Sequence, residues 1–201
     1  MFTGIIREVG TVENARKEKG LLRLDVLAPK TASLVEPMES VSVDGVCLSV
    51  VRKQAALLRF ELIPETQRLS ALSRLRSGSR VNLEPTLTLT DRLSGHIVLG
   101  HVDGIAKVAA VKQLPSERVL TLRADGRLFA YLVSKGSIAV DGVSLTIGQN
   151  VKKGSFSVHL IPETLRRTTL GSKKAGDFLN IEVDYLAKLV RQFLQGRRLE
   201  V

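Results

Sequence analysis

Apolar and polar residues alternate with a period of two along much of the chain. The alternation runs through residues 21–28, 40–44, 80–84, 118–124, 156–161 and 178–183. Asp-Gly, Ser-Gly, Ala-Gly and Lys-Gly pairs, which favour turns, punctuate the sequence at short intervals. Because successive side chains of a strand point to opposite faces, this pattern is typical of half-buried β-strands. Many short strands with regular turns predict a barrel or a sandwich, and closing a barrel removes exposed strand edges.

The end of the chain has a helical period instead. An apolar stripe on one helix face is formed by Tyr185, Leu186, Leu189, Val190, Phe193 and Leu194. Asp184 is a suitable N-cap and Gly196 a suitable stop. The stripe either packs on the chain's own barrel or mediates self-association, and the pattern favours neither. Two shorter stretches, PETQRLSALSRL and PETLRRTTLG, predict short helical turns opened by proline.

Three blocks of sequence recur in the same order. Residues 40–50 (SVSVDGVCLSV) match residues 137–147 (SIAVDGVSLTI), and residues 60–84 match residues 158–182. A weaker match links residues 2–12 to residues 98–108. The offset between the copies drifts only from 96 to 98 residues across the three blocks. Ordered matches of this kind indicate a duplicated domain.

Composition limits the function classes. The chain has 201 residues, of which 44% are hydrophobic and 25% charged, as in ordinary globular proteins. Its single cysteine excludes an internal disulfide and a Cys-rich zinc site. No apolar run is long enough to span a membrane and the first residues do not resemble a signal peptide, so we expect a cytoplasmic protein without a membrane partner.

The formal net charge of +10 brings a nucleic-acid partner into consideration. The basic residues are scattered, however, and aromatic residues make up only 4% of the chain, with no tryptophan. Base stacking is therefore poorly supplied, and we expect no nucleic-acid partner.

Five motifs together carry a resemblance to a known family. They are MFTGII, SVDGVCLSV, SGHIVLGHVDG, KGSIAVDGVSLTI and HLIPETLRRTTLG. Over nearly the whole chain the set resembles the riboflavin synthase family, the trimeric type with a duplicated chain. The resemblance implies an all-β fold of two similar six-stranded antiparallel Greek-key barrels, followed by a C-terminal amphipathic helix that forms a homotrimer. The expected units are residues 1–96 and 97–184 for the two lumazine-binding barrels and 185–201 for the helix.

The resemblance also implies the reaction. Two molecules of 6,7-dimethyl-8-ribityllumazine exchange a four-carbon unit, giving riboflavin and 5-amino-6-(D-ribitylamino)uracil in the last step of riboflavin biosynthesis. No cofactor and no metal is expected. In the family each site holds two ligands, one on the first barrel of a subunit and one on the second barrel of its neighbour. An association with lumazine synthase, which makes the substrate, is a further option.

Five residues are candidates for the chemistry. His101 is the predicted general acid or base, because histidine ordinarily titrates near neutral pH. Ser144 is expected to contact the reacting carbon or a water, with Asp141 orienting its hydroxyl. Lys135 would stabilise negative charge on a lumazine anion. Cys47 would line the first site, although a lone cysteine is usually a small hydrophobe and an Asp-Gly pair is usually a hairpin turn.

Substrate contacts are implied along both repeats. The extended LIPET segments can offer backbone groups to the edge of a pteridine, and their threonines can donate hydroxyls. First-repeat contacts are expected at Gly4, Ile5, Ile6, Cys47, Leu48, Ser49, Glu61, Leu62, Ile63, Pro64, Glu65 and Thr66. Second-repeat contacts are expected at Gly100, His101, Val102, Lys135, Ser144, Leu145, Thr146, His159, Leu160, Ile161, Pro162, Glu163 and Thr164.

The repeats differ where two identical ligands would need different surroundings. Their alignment sets Cys47 against Ser144, Ile5 against His101, and Met38 against Lys135. Polar groups therefore concentrate in the second repeat, and we expect the second site to hold them.

The same residues admit two alternative interpretations. A non-catalytic relative that binds lumazine or flavin, such as an antenna protein of luminous bacteria, tends to lose the matched residues in one half. All of them are present here, which favours an enzyme. The second alternative is a metal pair of His96 and His101, but no third ligand of usual spacing accompanies them.

Overall fold

The computed structural model describes residues 1–152 and 154–196, most of them in two β-barrels. The first barrel contains β1 (Glu8–Glu18), β2 (Leu21–Leu27), β3 (Ser40–Val43), β4 (Val46–Gln54), β5 (Leu57–Leu62) and β6 (Arg80–Pro85). The second contains β7 (Gly104–Gln113), β8 (Arg118–Arg123), β9 (Ser137–Val140), β10 (Val143–Thr146), β11 (Ser155–Leu160) and β12 (Phe178–Val183). The helices are α1 (Pro29–Ala32), α2 (Pro64–Leu69), α3 (Pro162–Arg167) and α4 (Tyr185–Gly196).

All the strand pairs within the two sheets are antiparallel. The first sheet runs β1-β2-β5-β4-β3-β6 and closes where β6 pairs with β1. The second runs β10-β9-β12-β7-β8-β11, and a bridge between Ile147 and Val158 brings its two ends together. In the first barrel the order β6-β3-β4-β5 is a Greek key. The predicted fold class is confirmed, with one barrel closed and the other nearly so.

Each barrel has its own core, built by the alternation seen in the sequence. On β5 the side chains of Leu58, Phe60 and Leu62 are fully buried, and the intervening residues are less so. Burying one such side chain stabilises the fold by about 1.5–3 kcal/mol. Two residues cross between the halves, since Ile6 belongs to the second core and Val102 packs on the first.

Residues 2–6 and 98–102, which we call the crossing segments, explain why Ile6 and Val102 pack on the core of the other repeat. They pair with each other, the Phe2 nitrogen donating to the Val98 carbonyl over 2.7 Å. The Gly4 carbonyl accepts the Ser144 amide of the second barrel over 2.8 Å. The Gly100 carbonyl accepts the Cys47 amide of the first barrel over 2.9 Å. Each repeat therefore supplies a segment to the other repeat's barrel.

Two buried glutamates hold the crossing segments. The carboxylate of Glu84 accepts hydrogen bonds from both Thr3 and Gly4, and that of Glu182 accepts the amides of Leu99 and Gly100. Burial raises the pKa of both carboxyl groups, while these hydrogen bonds partly oppose the rise. Each segment is thus anchored to the last strand of its own barrel while it contacts the other.

The two Asp-Gly pairs form hairpin turns that meet at the junction of the barrels. Asp44 and Gly45 have φ of 43° and 81°, and Asp141 and Gly142 have 44° and 76°, as a type I′ turn requires. A Cβ built on Gly45 would lie 2.6 Å from the Gly142 nitrogen. Only glycine permits this backbone contact, which lies on a pseudo-twofold axis.

Two asparagines clamp the junction reciprocally. Asn82 donates to the Asp141 carbonyl over 2.9 Å, and its Oδ1 accepts the Thr169 amide over 2.8 Å. Asn180 mirrors this, donating to the Asp44 carbonyl and accepting the Ala71 amide over 2.8 and 2.7 Å. Both asparagines are buried, so each satisfies backbone groups of the opposite repeat that water does not reach.

Helix α4 follows the second barrel, and Asp184 caps it by accepting the Leu186 amide over 2.9 Å. Lys188 pairs with Asp103 over 2.7 Å, and Arg191 lies over the ring of Tyr131. The predicted apolar stripe stays exposed, with Val190 60% accessible. No helix in the described ranges is long and apolar enough to cross a membrane. Residues 197–201 of the predicted helical unit lie outside the described residues.

The asparagine clamp makes a prediction about stability. Asn82→Ala leaves a buried amide and a buried carbonyl unpaired, so we expect it to lower the free energy of unfolding by about 2–4 kcal/mol. Asn14→Ala is the matched control, because Asn14 makes only a 3.5 Å contact at a part-buried position. Denaturant unfolding of both variants measures the difference. Equal losses in the two would show that the clamp does not hold the barrels together.

Candidate functional site

A cavity of about 440 Å³ opens beside β10 and the end of β11 in the second barrel. Its volume lies in the range of small-molecule sites. Ser94, Gly95 and Ser137 line it, although the sequence did not predict them. The predicted residues that it brings together are Lys135, Ser144, Leu145, Thr146, His159, Ile161 and Thr164. We call this cavity the second site.

A serine–histidine pair lies at the second site. The hydroxyl of Ser144 lies 2.7 Å from Nδ1 of His96. The His96 amide donates to the carbonyl of Thr3 over 3.2 Å, so the crossing segment fixes the backbone that carries the imidazole. Any side chain at Gly95 would collide with the Thr3 carbonyl and approach Ser144. The pair therefore depends on the close packing of three chain segments, which carry Thr3, Gly95 and Ser144.

The protonation state of His96 follows from its surroundings. Burial lowers the pKa of His96 below its ordinary value of 6.5, and the charge of Asp184 partly opposes this. The imidazole is therefore neutral at pH 7, with one nitrogen free to accept a proton. A neutral Nδ1 can accept the Ser144 hydroxyl hydrogen and raise the electron density on Oγ.

The corresponding region of the first barrel, the first site, contains Cys47. A Cβ built on Gly100 would lie 2.6 Å from the Cys47 Cβ, so the second crossing segment lies directly against it. His101 follows Gly100 and is exposed. The expectation that His101 belongs to the second site is thus wrong, because the crossing segments exchange barrels. For the same reason Gly4 contacts Ser144 and not Cys47.

The LIPET segments present an apolar wall at each site. Ile63 and Ile161 are 56% and 60% exposed, although isoleucine is usually buried. Leu62 and Leu160, by contrast, are fully buried in the two cores. Their side chains cannot contact a ligand, so only the backbone groups of these two leucines are available to one. Leu48 is likewise a core residue.

Several polar residues that were predicted to contact the substrate form ion pairs with neighbouring side chains. Glu61 pairs with Arg23, and His159 Nδ1 lies 2.8 Å from Glu117. Glu65 pairs with Arg68, and Glu163 pairs with two arginines of its own helix, α3. Such exposed pairs are weak, so a ligand hydroxyl can compete for these carboxylates. Ser49 lies exposed on β4.

The predicted pair of Ser144 with Asp141 is not formed. Asp141 is buried at the barrel junction, where its carboxylate accepts the Asn180 amide and pairs with Lys173, each over 2.7 Å. Burial raises the pKa of Asp141, although Lys173 opposes this. Asp141 therefore faces the junction and does not line the second site. His96 takes the place predicted for it beside Ser144.

The chain is similar to known proteins over both repeats. The model of the lumazine binding domain matches residues 3–86 and again residues 99–184. A riboflavin synthase of Chlamydia trachomatis is 40% identical over 94% of this chain and 92% of its own length. That of Mycobacterium bovis is 40% identical over 98% and 99% of the two chains. The chain belongs to the riboflavin synthase family.

A riboflavin synthase of Actinobacillus pleuropneumoniae is also similar, at 36% identity over 96% of this chain and 90% of its own. Among solved structures, LumP complexed with riboflavin has a TM-score of 0.85 at 23% identity, covering 91% of this chain and 99% of that one. LumP complexed with 6,7-dimethyl-8-(1'-D-ribityl) lumazine has a TM-score of 0.83. This likeness shows that the chain has the same fold.

The sequence of this riboflavin synthase family member did not predict the contact of His96 with Ser144. On sequence alone His96 was considered only as half of a metal pair with His101. Among the described residues no cluster of three metal-ligating side chains occurs. No repeat position marks His96, because the second copy of the first block begins only at residue 98.

The lowered pKa of His96 makes a prediction about pH. As the pH decreases below 6.5, the unfolded chain binds a proton at this histidine, whereas the folded chain keeps it neutral. The free energy of unfolding of the wild type therefore decreases as the pH is lowered in that window. His96→Asn keeps a hydrogen-bonding group but cannot titrate, so its stability should fall less between pH 7 and 5.5. Denaturant unfolding at fixed protein concentration compares the two. Parallel profiles would contradict a neutral, buried His96.

Proposed function

We propose that this enzyme forms riboflavin by transferring a four-carbon unit between two molecules of 6,7-dimethyl-8-ribityllumazine. The other product is 5-amino-6-(D-ribitylamino)uracil, and the chain's own side chains perform the chemistry without a cofactor. The observation that supports the site assignment is the Ser144–His96 pair beside a cavity of ligand size. Family membership supports the reaction.

The second site supplies the polar chemistry. The flat ring of one lumazine packs against Ile161, and Thr164 and Thr146 offer hydroxyls to its polar edge or ribityl chain. His96 accepts the proton of the Ser144 hydroxyl as Oγ, or a water that it holds, approaches the reacting carbon. The ammonium of Lys135 stabilises negative charge that develops when the 7-methyl group loses a proton.

The first site holds the second lumazine. Cys47 lines it as a wall residue, and Ile63 and Thr66 occupy the positions equivalent to Ile161 and Thr164. His101 lies next to Gly100 on the crossing segment, within this site, and is the group available there for proton transfer. Positioning the two rings face to face supplies a large part of the barrier reduction, roughly 7–11 kcal/mol for well-oriented reactants.

We further propose that the two lumazines meet between subunits of a homotrimer. The exposed apolar residues of α4 support this, because Leu186, Leu189, Val190 and Leu194 are each 45–60% accessible in the isolated chain. An apolar stripe of this kind is usually covered by a partner. Association with lumazine synthase stays a prediction from the family resemblance.

The proposed chemistry is tested with the purified protein and 6,7-dimethyl-8-ribityllumazine, following riboflavin absorbance. We expect Ser144→Ala and His96→Asn each to lower kcat by about 10²-fold, because each removes one partner of the proton transfer. Ser33→Ala is the control, since Ser33 is exposed and its hydroxyl donates to the nearby Lys30 carbonyl, away from the second site. Tight binding of the lumazine without any turnover by the wild type would make the chain a non-catalytic ligand carrier.

The trimer is tested on the same helix. Val190→Asp places a charge in the apolar stripe, so we expect the trimer to dissociate to monomers and riboflavin formation to fall at least tenfold. Gln192→Asp adds the same charge at an exposed polar position of α4 and should leave the mass unchanged. Light scattering coupled to size-exclusion chromatography gives the mass. A monomeric wild type with full activity would refute the arrangement.

A further inference from the structure

Apart from the second site, a separate cavity of about 500 Å³ lies on the pseudo-twofold axis beside the asparagine clamp. Both repeats build it, through the equivalent loops 74–80 and 172–178 and the buried Asp44 and Asp141. We call it the junction pocket and define it by Arg74, Arg76, Arg80, Thr169 and Lys173. None of these five residues lines the second site.

The basic residues of the junction pocket are not needed to form its loops. In the first loop the Ser79 hydroxyl accepts the Arg76 amide over 3.0 Å, and in the second Asp177 accepts the Lys174 amide over 2.7 Å. The two loops therefore make the same turn with different residues. The first loop nevertheless carries three arginines, where the second has serine, lysine and phenylalanine at the equivalent positions.

The carboxylates of the pocket are occupied. Asp141 pairs with Lys173 over 2.7 Å, and Asp177 completes its own turn. The buried Asp44 carboxyl accepts the backbone amide of Asn82 over 2.7 Å, and burial together with the neighbouring charge of Asp141 raises its pKa well above its ordinary value. Across the described residues, no carboxylate forms a salt bridge with Arg74, Arg76 or Arg80.

Two further features of the pocket favour a ligand-binding site. The guanidinium of Arg74 stacks 3.9 Å above the centroid of the Phe178 ring, which holds it at the pocket wall. The Oγ1 of Thr169 is buried and has no hydrogen-bond partner in the described part of the chain. Buried hydroxyls normally have a hydrogen-bond partner, so a ligand that reaches this oxygen would supply the missing one.

We propose that the junction pocket binds a phosphate-type oxyanion, either inorganic phosphate or the phosphomonoester of a small metabolite. The planar, many-donor guanidinium groups match the oxygens of a tetrahedral anion, and two or more of them can engage one phosphate. A bound phosphate bridges loops from both repeats. It therefore stabilises the junction that positions the two sites.

Titration of the full-length protein with inorganic phosphate tests this, followed by isothermal calorimetry and by Tm. Potassium chloride at matched ionic strength is the salt control, and ribose 5-phosphate is the second arm. We expect saturable binding and a rise in Tm with phosphate but not with chloride. Tighter binding of ribose 5-phosphate assigns the pocket to phosphomonoesters, and tighter binding of inorganic phosphate assigns it to the free ion.

The variants locate the site. Arg76→Gln with Arg80→Gln should weaken phosphate binding at least tenfold, whereas Arg16→Gln with Arg52→Gln removes two exposed arginines elsewhere and should not. Equal stabilisation of the wild type by chloride overturns the proposal without any variant. Unchanged binding by the folded Arg76/Arg80 variant also overturns it. The assay uses no lumazine, so its outcome is independent of the proposed reaction.

Discussion

The backbone contact between the two Asp-Gly turns constrains the rest of the molecule. Gly45 and Gly142 approach so closely that any Cβ on either would collide with the other's backbone. Because β4 and β10 leave directly from these turns, the contact fixes Cys47 and Ser144 relative to each other. The asparagine clamp and the buried aspartates then satisfy the polar groups that this approach removes from water.

The exchange of crossing segments makes the two sites depend on both repeats. The second site needs β10 from the second repeat, Gly4 from the first and His96 from the link between them. A single repeat folded alone would lack part of each site, although it has a core of its own. The buried carboxylates of Glu84 and Glu182 hold the segments, which places charge-assisted hydrogen bonds where the chain passes between barrels.

The sequence predicted the barrels, the duplication and the C-terminal helix, because alternation and repeat spacing depend on local pattern. It did not predict which barrel each segment joins. Aligning the repeats correctly made Ile5 and His101 equivalent, but equivalence does not identify contacts, and the exchange moved His101 to the first site. Asp141 was misassigned for a related reason, since a turn residue beside a site in sequence can face the opposite side in space.

The two sites are chemically unequal even where the backbone is the same. Met38 and Lys135 have φ of 77° and 65°, and each amide donates to the carbonyl of the residue twelve positions later, yet one side chain is a thioether and the other a cation. His96 is part-buried and bonded to Ser144, whereas His101 is exposed and follows Gly100, which lies against Cys47. The two regions therefore differ in their proton-accepting groups and in their charge, although their backbones correspond.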